Sequence, residues 1–239
     1  MAIPKIDLPT YKLNLKSSGV EVQFRPFVVR EEKILLLALE TGEFDTILNA
    51  IKQVIKNCLI TEIDIDGLPL FEIEFIFLNL RARSMGEVVD LTYLCENIVE
   101  DKKCKNEMEV KVDLLKAALD VKVQNSTLRV TDKVGLKLKY PTVETTKILN
   151  SATSNMDVAI DLIEGCTEYL FDEDQTYKPS DMEPGEFKSF IESLTQDQFL
   201  MIKTFFDNIP AIVYDTNVTC GKCGKNHSIH LEGLLDFFE

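Results

Sequence analysis

Cys220-Gly221-Lys222-Cys223-Gly224 is the stretch on which the reading of this 239-residue chain turns. Two cysteines with two residues between them aim both sulfurs at one point when a tight turn joins them, and the glycines give the backbone room for that turn. Tetrahedral zinc takes four such ligands, so two more are needed. Cys95 and Cys104 supply them. The run Cys104-Lys-Asn-Glu-Met-Glu-Val-Lys-Val-Asp-Leu-Leu and the run Cys223-Gly-Lys-Asn-His-Ser-Ile-His-Leu-Glu-Gly-Leu-Leu share one plan. Each has a cysteine, an Asn in the turn, an alternating strand and a Leu-Leu close. In both halves an apolar strand runs into the first cysteine of the pair. Two knuckles facing each other make a zinc ribbon, so Cys95, Cys104, Cys220 and Cys223 are the expected ligands of one structural Zn²⁺.

The first half-site is wider, with eight residues between Cys95 and Cys104, which reads as an inserted loop, Glu96–Lys103. A variant in which His227 replaces Cys95 stays open, as do unmetallated thiols and a redox CxxC. A redox motif of the thioredoxin type opens a helix, whereas a β pattern follows here. A catalytic zinc keeps an open position and usually mixes in His or carboxylate, so a four-cysteine set reads as structural. Such a site would staple residues near 100 to the C-terminal part of the chain.

Far N-terminal to the cysteines, the alternation Tyr11–Leu15, the turn Lys16-Ser-Ser-Gly19 and the alternation Val20–Phe24 predict a hairpin that Pro26 ends. Residues 30–40 predict a helix stopped by Thr41-Gly42, and 44–59 a second, with Ile47, Leu48, Ile51, Val54, Ile55, Cys58 and Leu59 on one stripe. A third is expected at 68–81, and Arg81–Gly86 reads as an arm into a strand at 87–94. Strands are expected at 107–113, 119–123 and 134–140, the last two flanking a hairpin-like connection.

The segment 142–210 reads as helical. Met156, Ile160, Ile163, Cys166 and Leu170 share one helix face, and Cys58 and Cys166 read as core. Phe171–Pro179 reads as a solvated acidic loop, lacking the glycine and terminal glutamate of an EF-hand. Thr195–Gln198 is a capping box for a helix that buries Phe199, Ile202, Phe205 and Phe206. A strand at 211–219, a return at 228–231 and a helical turn at Leu234–Phe238 close the chain. The expected class is α+β: an N-terminal hairpin with helices (1–86), a β region with the first knuckle (87–140), a helical insertion (141–210), and a second knuckle packing on the first (211–239).

The chain is 45% apolar and 28% charged, an ordinary globular composition. No apolar run approaches the ~20 residues of a membrane helix. Met-Ala-Ile-Pro-Lys-Ile-Asp has no charged n-region followed by an apolar core, so no signal peptide is expected and cytoplasmic assembly is the default. Acidic residues outnumber basic ones 40 to 26, for a net charge of −14, which argues against tracking phosphates. Lys102, Lys103 and Lys105 form the densest basic spot and read as a solvated loop. No GxSxG, P-loop, GxGxxG or HExxH occurs. Pairs such as Glu31-Glu32 read as solvated helix surface. No catalytic constellation emerges, so an enzyme is not expected.

Phe24-Arg25-Pro26-Phe27-Val28-Val29-Arg30-Glu31-Glu32-Lys33-Ile34-Leu35-Leu36 resembles one signature of the T-even-type baseplate hub protein family of contractile-tailed bacteriophages. Leu78–Gly86, through Arg81, Arg83 and Ser84, resembles its second, and the cysteines and Tyr140-Pro141-Thr142 follow in the same order. The resemblance spans most of residues 3–239, although 171–194 match no part of it. It implies a structural or chaperone-like hub-assembly component that acts on other hub and tail proteins. The setting implied is the host cytoplasm during assembly, or the virion baseplate. No small-molecule substrate or membrane is implied. Arg25, Arg81 and Arg83 would pair with a partner's acidic groups or with this chain's own carboxylates. A zinc-ribbon adaptor for nucleic acid or transcription machinery is the alternative.

Overall fold

The computed structural model describes residues 6–121, 124–147 and 155–237. Expectations for Met1–Lys5, 122–123, 148–154 and Phe238 lie outside them. The elements run β1 (Tyr11–Asn14), β2 (Glu21–Phe24), α1 (Val29–Thr41), α2 (Phe44–Cys58), α3 (Leu70–Met85), β3 (Val88–Leu94), β4 (Ile98–Val99) and β5 (Lys102–Lys103). Next come β6 (Glu107–Asp113), β7 (Ala118–Asp120), β8 (Thr127–Arg129), β9 (Gly135–Leu138), α4 (Val143–Lys147), α5 (Asn155–Gly165), β10 (Thr167–Phe171) and β11 (Thr176–Tyr177). The chain then forms α6 (Glu186–Glu192), α7 (Gln196–Asp207), β12 (Ala211–Thr219) and β13 (Asn226–Glu232). It is an α+β chain, and among the described residues no helix is long and apolar enough to cross a membrane.

Two units arise from this order. One gathers Met1–Ile65, Phe71–Asp120 and Ala211–Glu239, the other Asp66–Leu70 and Val121–Pro210. In the first, β1 and β2 pair antiparallel with Leu13 opposite Val22, and Gly19 closes their turn with a left-handed φ of 69°. The α2 stripe buries Leu48, Ile51, Val54, Ile55 and Cys58, as its helical spacing dictates. Burial pushes the Cys58 thiol up to about 11, the behaviour of a core residue.

The two signature segments interlock in this unit. Arg25 donates to Glu31 Oε1 at 3.1 Å, to the Asn57 carbonyl at 3.0 Å and to the Pro26 carbonyl at 2.9 Å. The Glu31 side chain has no exposure. Its other oxygen accepts the Val28 N–H at 3.0 Å and so caps α1, whose N-cap valine offers no side-chain acceptor. Glu31 is therefore a buried ion-pair partner, not the solvated surface group that its place beside Glu32 predicts. The Phe27 N–H donates to Ser84 Oγ at 2.9 Å, and that hydroxyl donates to the Leu80 carbonyl at 2.6 Å. Arg83 pairs with Glu87 and lies over the Tyr11 ring, while Arg81 donates to the Gly86 carbonyl. All three arginines are engaged within their own chain.

Arg81–Met85 is the last turn of α3 rather than an arm. Arg and Ala are strong helix formers, and Gly86 ends the helix with a left-handed φ of 115° and an N–H to the Ala82 carbonyl. At the other end, Pro69 bridges to Thr142 and the Leu70 N–H bonds to the Pro141 carbonyl, which delays the helix start from 68 to 70.

The second unit departs most from expectation. Residues 141–210 are not simply helical, because they contribute two strands to a four-stranded sheet ordered β11-β10-β9-β8. The helical periodicity through Cys166 and Leu170 continues past the true end of α5 at Gly165. Thr167-Glu-Tyr-Leu-Phe171 is β-branched and aromatic, and it pairs with β9 instead. The strand near 134–140 finds its partners there, whereas β7 joins β12 and β13 in the first unit's three-stranded sheet. The acidic stretch is the turn of the β10–β11 hairpin, where Asp172 accepts the Asp174 and Gln175 amides at 2.8 Å and the Tyr177 hydroxyl at 2.7 Å. The capping box holds as read, and α7 buries Ile202 and Phe205 fully, with Phe199 and Phe206 only partly buried.

Gly135 lies opposite Phe171, and a Cβ there would meet the Phe171 ring and the Leu128 carbonyl oxygen, the latter at 2.5 Å. Gly135→Ala is thus expected to cost about 2–3 kcal/mol by forced displacement in a packed sheet. Urea unfolding checks this; a midpoint equal to that of the unsubstituted chain would refute the close approach.

Candidate metal centre

Antiparallel pairing builds the site. β3 and β6 pair from Val88–Asp113 to Leu94–Glu107, so Cys95 and Cys104 leave their strands at the same end. β12 and β13 pair from Val213–Glu232 to Thr219–Asn226 and deliver Cys220 and Cys223 from the matching turn. The sulfurs of Cys95, Cys104, Cys220 and Cys223 all lie within 4.8 Å of one another. Cys95 and Cys223 stand 3.6 Å apart, Cys104 and Cys220 3.9 Å. With metal–sulfur bonds of about 2.3 Å, the edge of a zinc tetrathiolate tetrahedron is about 3.8 Å. Four thiol donors at this separation fit a metal ion. Met108, Tyr93 and Val218 pack around them and keep water from three of the four cysteines.

The hydrogen bonds repeat between the halves. The Cys95 N–H donates to the Asn106 carbonyl at 2.8 Å, and the Cys220 N–H to the Lys225 carbonyl at 2.8 Å. The Lys105 N–H donates to the Cys95 carbonyl at 2.9 Å, and the Gly224 N–H to the Cys220 carbonyl at 2.9 Å. The residue after each second cysteine is left-handed, Lys105 at φ 50° and Gly224 at φ 72°. Glycine takes that conformation freely, while Lys105 does so at some cost, held by the turn. At each cysteine the backbone amide two residues on (Asn97, Asn106, Lys222 and Lys225) favours the thiolate, and at Cys220 the Cys223 amide does so more strongly.

The wide first half-site has a simple cause. Ile98–Lys103 folds as its own hairpin, Ile98 opposite Lys103 and Val99 opposite Lys102, with Glu100 and Asp101 both left-handed in the two-residue turn. The Cys104 N–H donates to the Asn97 carbonyl at 2.7 Å, so the chain returns to the point it left. The insertion is narrower than the Glu96–Lys103 stretch that spacing suggests. Glu96 and Asn97 take the places of Gly221 and Lys222.

The four thiols are not electrically alike. The Cys223 amide draws Cys220 down to about 6, against its own burial, and the Lys225 amide lowers Cys223. Burial pushes Cys95 up to about 12 and also raises Cys104. Without a cation, Cys220 leans toward thiolate, while Cys95 and Cys104 hold their protons. A divalent ion would have to displace the protons of Cys95 and Cys104.

His227 Nε2 lies 3.2 Å from Cys95 Sγ, beside the cysteine it was read as an alternative to. Its partner in sequence, His230, faces elsewhere and pairs with Asp215 at 2.7 Å. Cys58 and Cys166 are buried apart from the cluster, and burial pushes Cys166 up to about 12. Asn97 has no spacing signal of its own. The shared Cys-x-Asn of Cys95-Glu96-Asn97 and Cys104-Lys105-Asn106 was the legible hint.

Residues 8–239 match a family described as T4 bacteriophage base plate protein. The chain is also similar to the baseplate hub assembly protein gp26 of Enterobacteria phage T4, at 22% identity over 230 residues. That similarity covers 96% of this chain and 98% of that protein. No solved structure matches the chain.

Proposed function

The chain belongs to the T4 bacteriophage base plate protein family, and from that premise we propose that it is a non-catalytic component of baseplate hub assembly. It acts in the host cytoplasm through contacts with other hub and tail proteins, and its first unit folds around one structural Zn²⁺. The observation that carries the assembly role is the end-to-end similarity to a hub assembly protein, which leaves no large segment of either chain unmatched. Cys95, Cys104, Cys220 and Cys223 would hold the zinc in a ribbon-like unit of two facing knuckles. The ion supplies cross-linking there, not Lewis-acid chemistry, because four thiolates complete its shell.

The exposed face of β6 carries Glu107, Glu109 and Lys111, a mixed set unsuited to following phosphates. Protein surfaces are the better match. Affinity purification from phage-infected cells, with the tagged chain as bait, tests the role: hub and tail proteins should co-purify in stoichiometric amounts. Their absence at every stage of infection would reject it.

Excision of Ile98–Lys103 should spare the metal site. It joins Asn97 to Cys104 and leaves Cys95-Glu96-Asn97-Cys104, a knuckle of ordinary spacing, and the 2.7 Å bond between those residues shows how little the ends must move. Zinc per chain, measured by elemental analysis, should be unchanged. A metal-free deletion protein would show that the hairpin is part of the site.

A further inference from the structure

A zinc ion on four thiolates leaves two negative charges in excess, and here three of the four sulfurs are buried. Charge buried at that depth requires hydrogen bonds beyond the ligands themselves. Two side chains stand within hydrogen-bonding distance of the sulfurs. His227 Nε2 is 3.2 Å from Cys95 Sγ, and Asn97 Nδ2 is 3.6 Å from Cys223 Sγ.

We propose that His227 and Asn97 are outer donors of the metal centre: neither is a ligand, and each hydrogen-bonds a coordinating sulfur that the other does not reach. This rests on the four-cysteine zinc reading and assigns its surroundings. Asn97 is the more connected of the two. Its carbonyl accepts the Cys104 N–H and its side chain reaches Cys223 Sγ, so one residue touches a cysteine of each knuckle. His227 sits on β13 opposite Val218, which fixes its backbone next to the second knuckle while its ring crosses to the first. The two donors therefore bridge the halves in opposite directions, Asn97 from the first knuckle to Cys223 and His227 from the second strand pair to Cys95. Lys222 also spans the knuckles, its Nζ donating to the Cys104 carbonyl at 3.4 Å.

Geometry separates this assignment from ligation by His227. A histidine that replaced Cys95 would leave that thiol outside the cluster, whereas all four sulfurs lie within 4.8 Å of one another and Cys95 lies 3.6 Å from Cys223. With Cys95 as thiolate, the hydrogen bond requires the proton on Nε2. In Asn97 the amide nitrogen, not the oxygen, must face Cys223.

The test uses the full chain loaded with Co²⁺ as a spectroscopic probe and with Zn²⁺ for affinity. The unsubstituted protein should bind one Co²⁺ with the charge-transfer and d–d absorption of a tetrahedral four-thiolate centre. His227→Ala should keep that spectrum unchanged while Zn²⁺ affinity, measured by chelator competition, falls about 10-fold or more, the usual cost of losing an outer partner. Asn97→Asp, which is isosteric but turns an acceptor on the thiolate, should weaken Zn²⁺ further than Asn97→Ala. His227→Gln should recover part of the loss by keeping a donor. Should a variant fail to fold, the imidazole ¹⁵N–¹H correlations of the unsubstituted Zn²⁺ protein decide alone, and a proton on Nε2 is the expected result. An unprotonated Nε2, or a spectrum that loses nitrogen character in His227→Ala, would make His227 a ligand and overturn the proposal. Unchanged affinity in both His227→Ala and Asn97→Asp would overturn it too. A chain that binds no metal at all would instead defeat the zinc reading beneath it.

Discussion

Replacing Cys220 and Cys223 together by serine, or stripping the metal with a strong chelator, is expected to remove the zinc and lower the melting temperature by about 10–20 °C. The estimate follows from a loss of roughly 5 kcal/mol or more, at about 2–4 °C per kcal/mol for a chain of this size. The reason is topological. Cys104 and Cys220 are 116 residues apart, and the β3–β6 and β12–β13 pairs meet end to end at their sulfurs. Without the ion, four thiol donors face one another in a buried cluster with only weak S–H bonds between them. Cys166→Ala is the control, since that thiol is buried outside the cluster. Elemental analysis should give one zinc per chain in the unsubstituted protein and in the control, and none in the double variant. Zinc absent from the unsubstituted chain, or retained by the double variant, would falsify the site.

The second large effect falls at Glu31. Substitution by alanine should destabilise the chain by about 3–5 kcal/mol at pH 7, because it leaves the half-buried Arg25 guanidinium without its carboxylate and uncaps α1. Burial by itself would raise the Glu31 carboxyl. Donation from Arg25, Arg30 and the Val28 amide outweighs that and holds it at about 2. A depressed folded-state value adds stability above the unfolded value near 4.5 and loses it as the pH falls through 2. At one pH unit per 1.36 kcal/mol, the shift corresponds to about 3 kcal/mol at neutral pH. Urea titrations of the unsubstituted protein and Glu31→Gln should therefore differ most at pH 7, and the gap should narrow by about half or more at pH 3. A gap that does not shrink on acidification would show that Glu31 contributes by packing instead of charge.

Both predictions lie on features that were visible in the sequence in different degrees. The knuckle Cys220–Gly224 announced itself by spacing, and the matching strand pattern after Cys104 located its counterpart. Arg25 and Glu31 were visible only as members of a familiar segment; nothing in their spacing distinguishes a buried pair from surface charge. Helix α2 was legible because its stripe repeats over four turns. The boundary between α5 and β10 was not, since Leu170 falls on both the helical and the strand periodicity and only Gly165 marks the change.

The sequence alone was enough to single out the four cysteines that come together, the α+β class, and the helices with strong stripes or caps. These follow from local rules, because spacing, periodicity and charge act over a few residues. Only the three-dimensional fold decided which strands pair, that Glu31 is buried, that Ile98–Lys103 is a hairpin of its own, and that Asn97 and His227 reach across the knuckles. Each of those depends on residues tens to more than a hundred positions apart. Their contact energy appears only after the chain has closed the loops between them, and no local pattern records that closure.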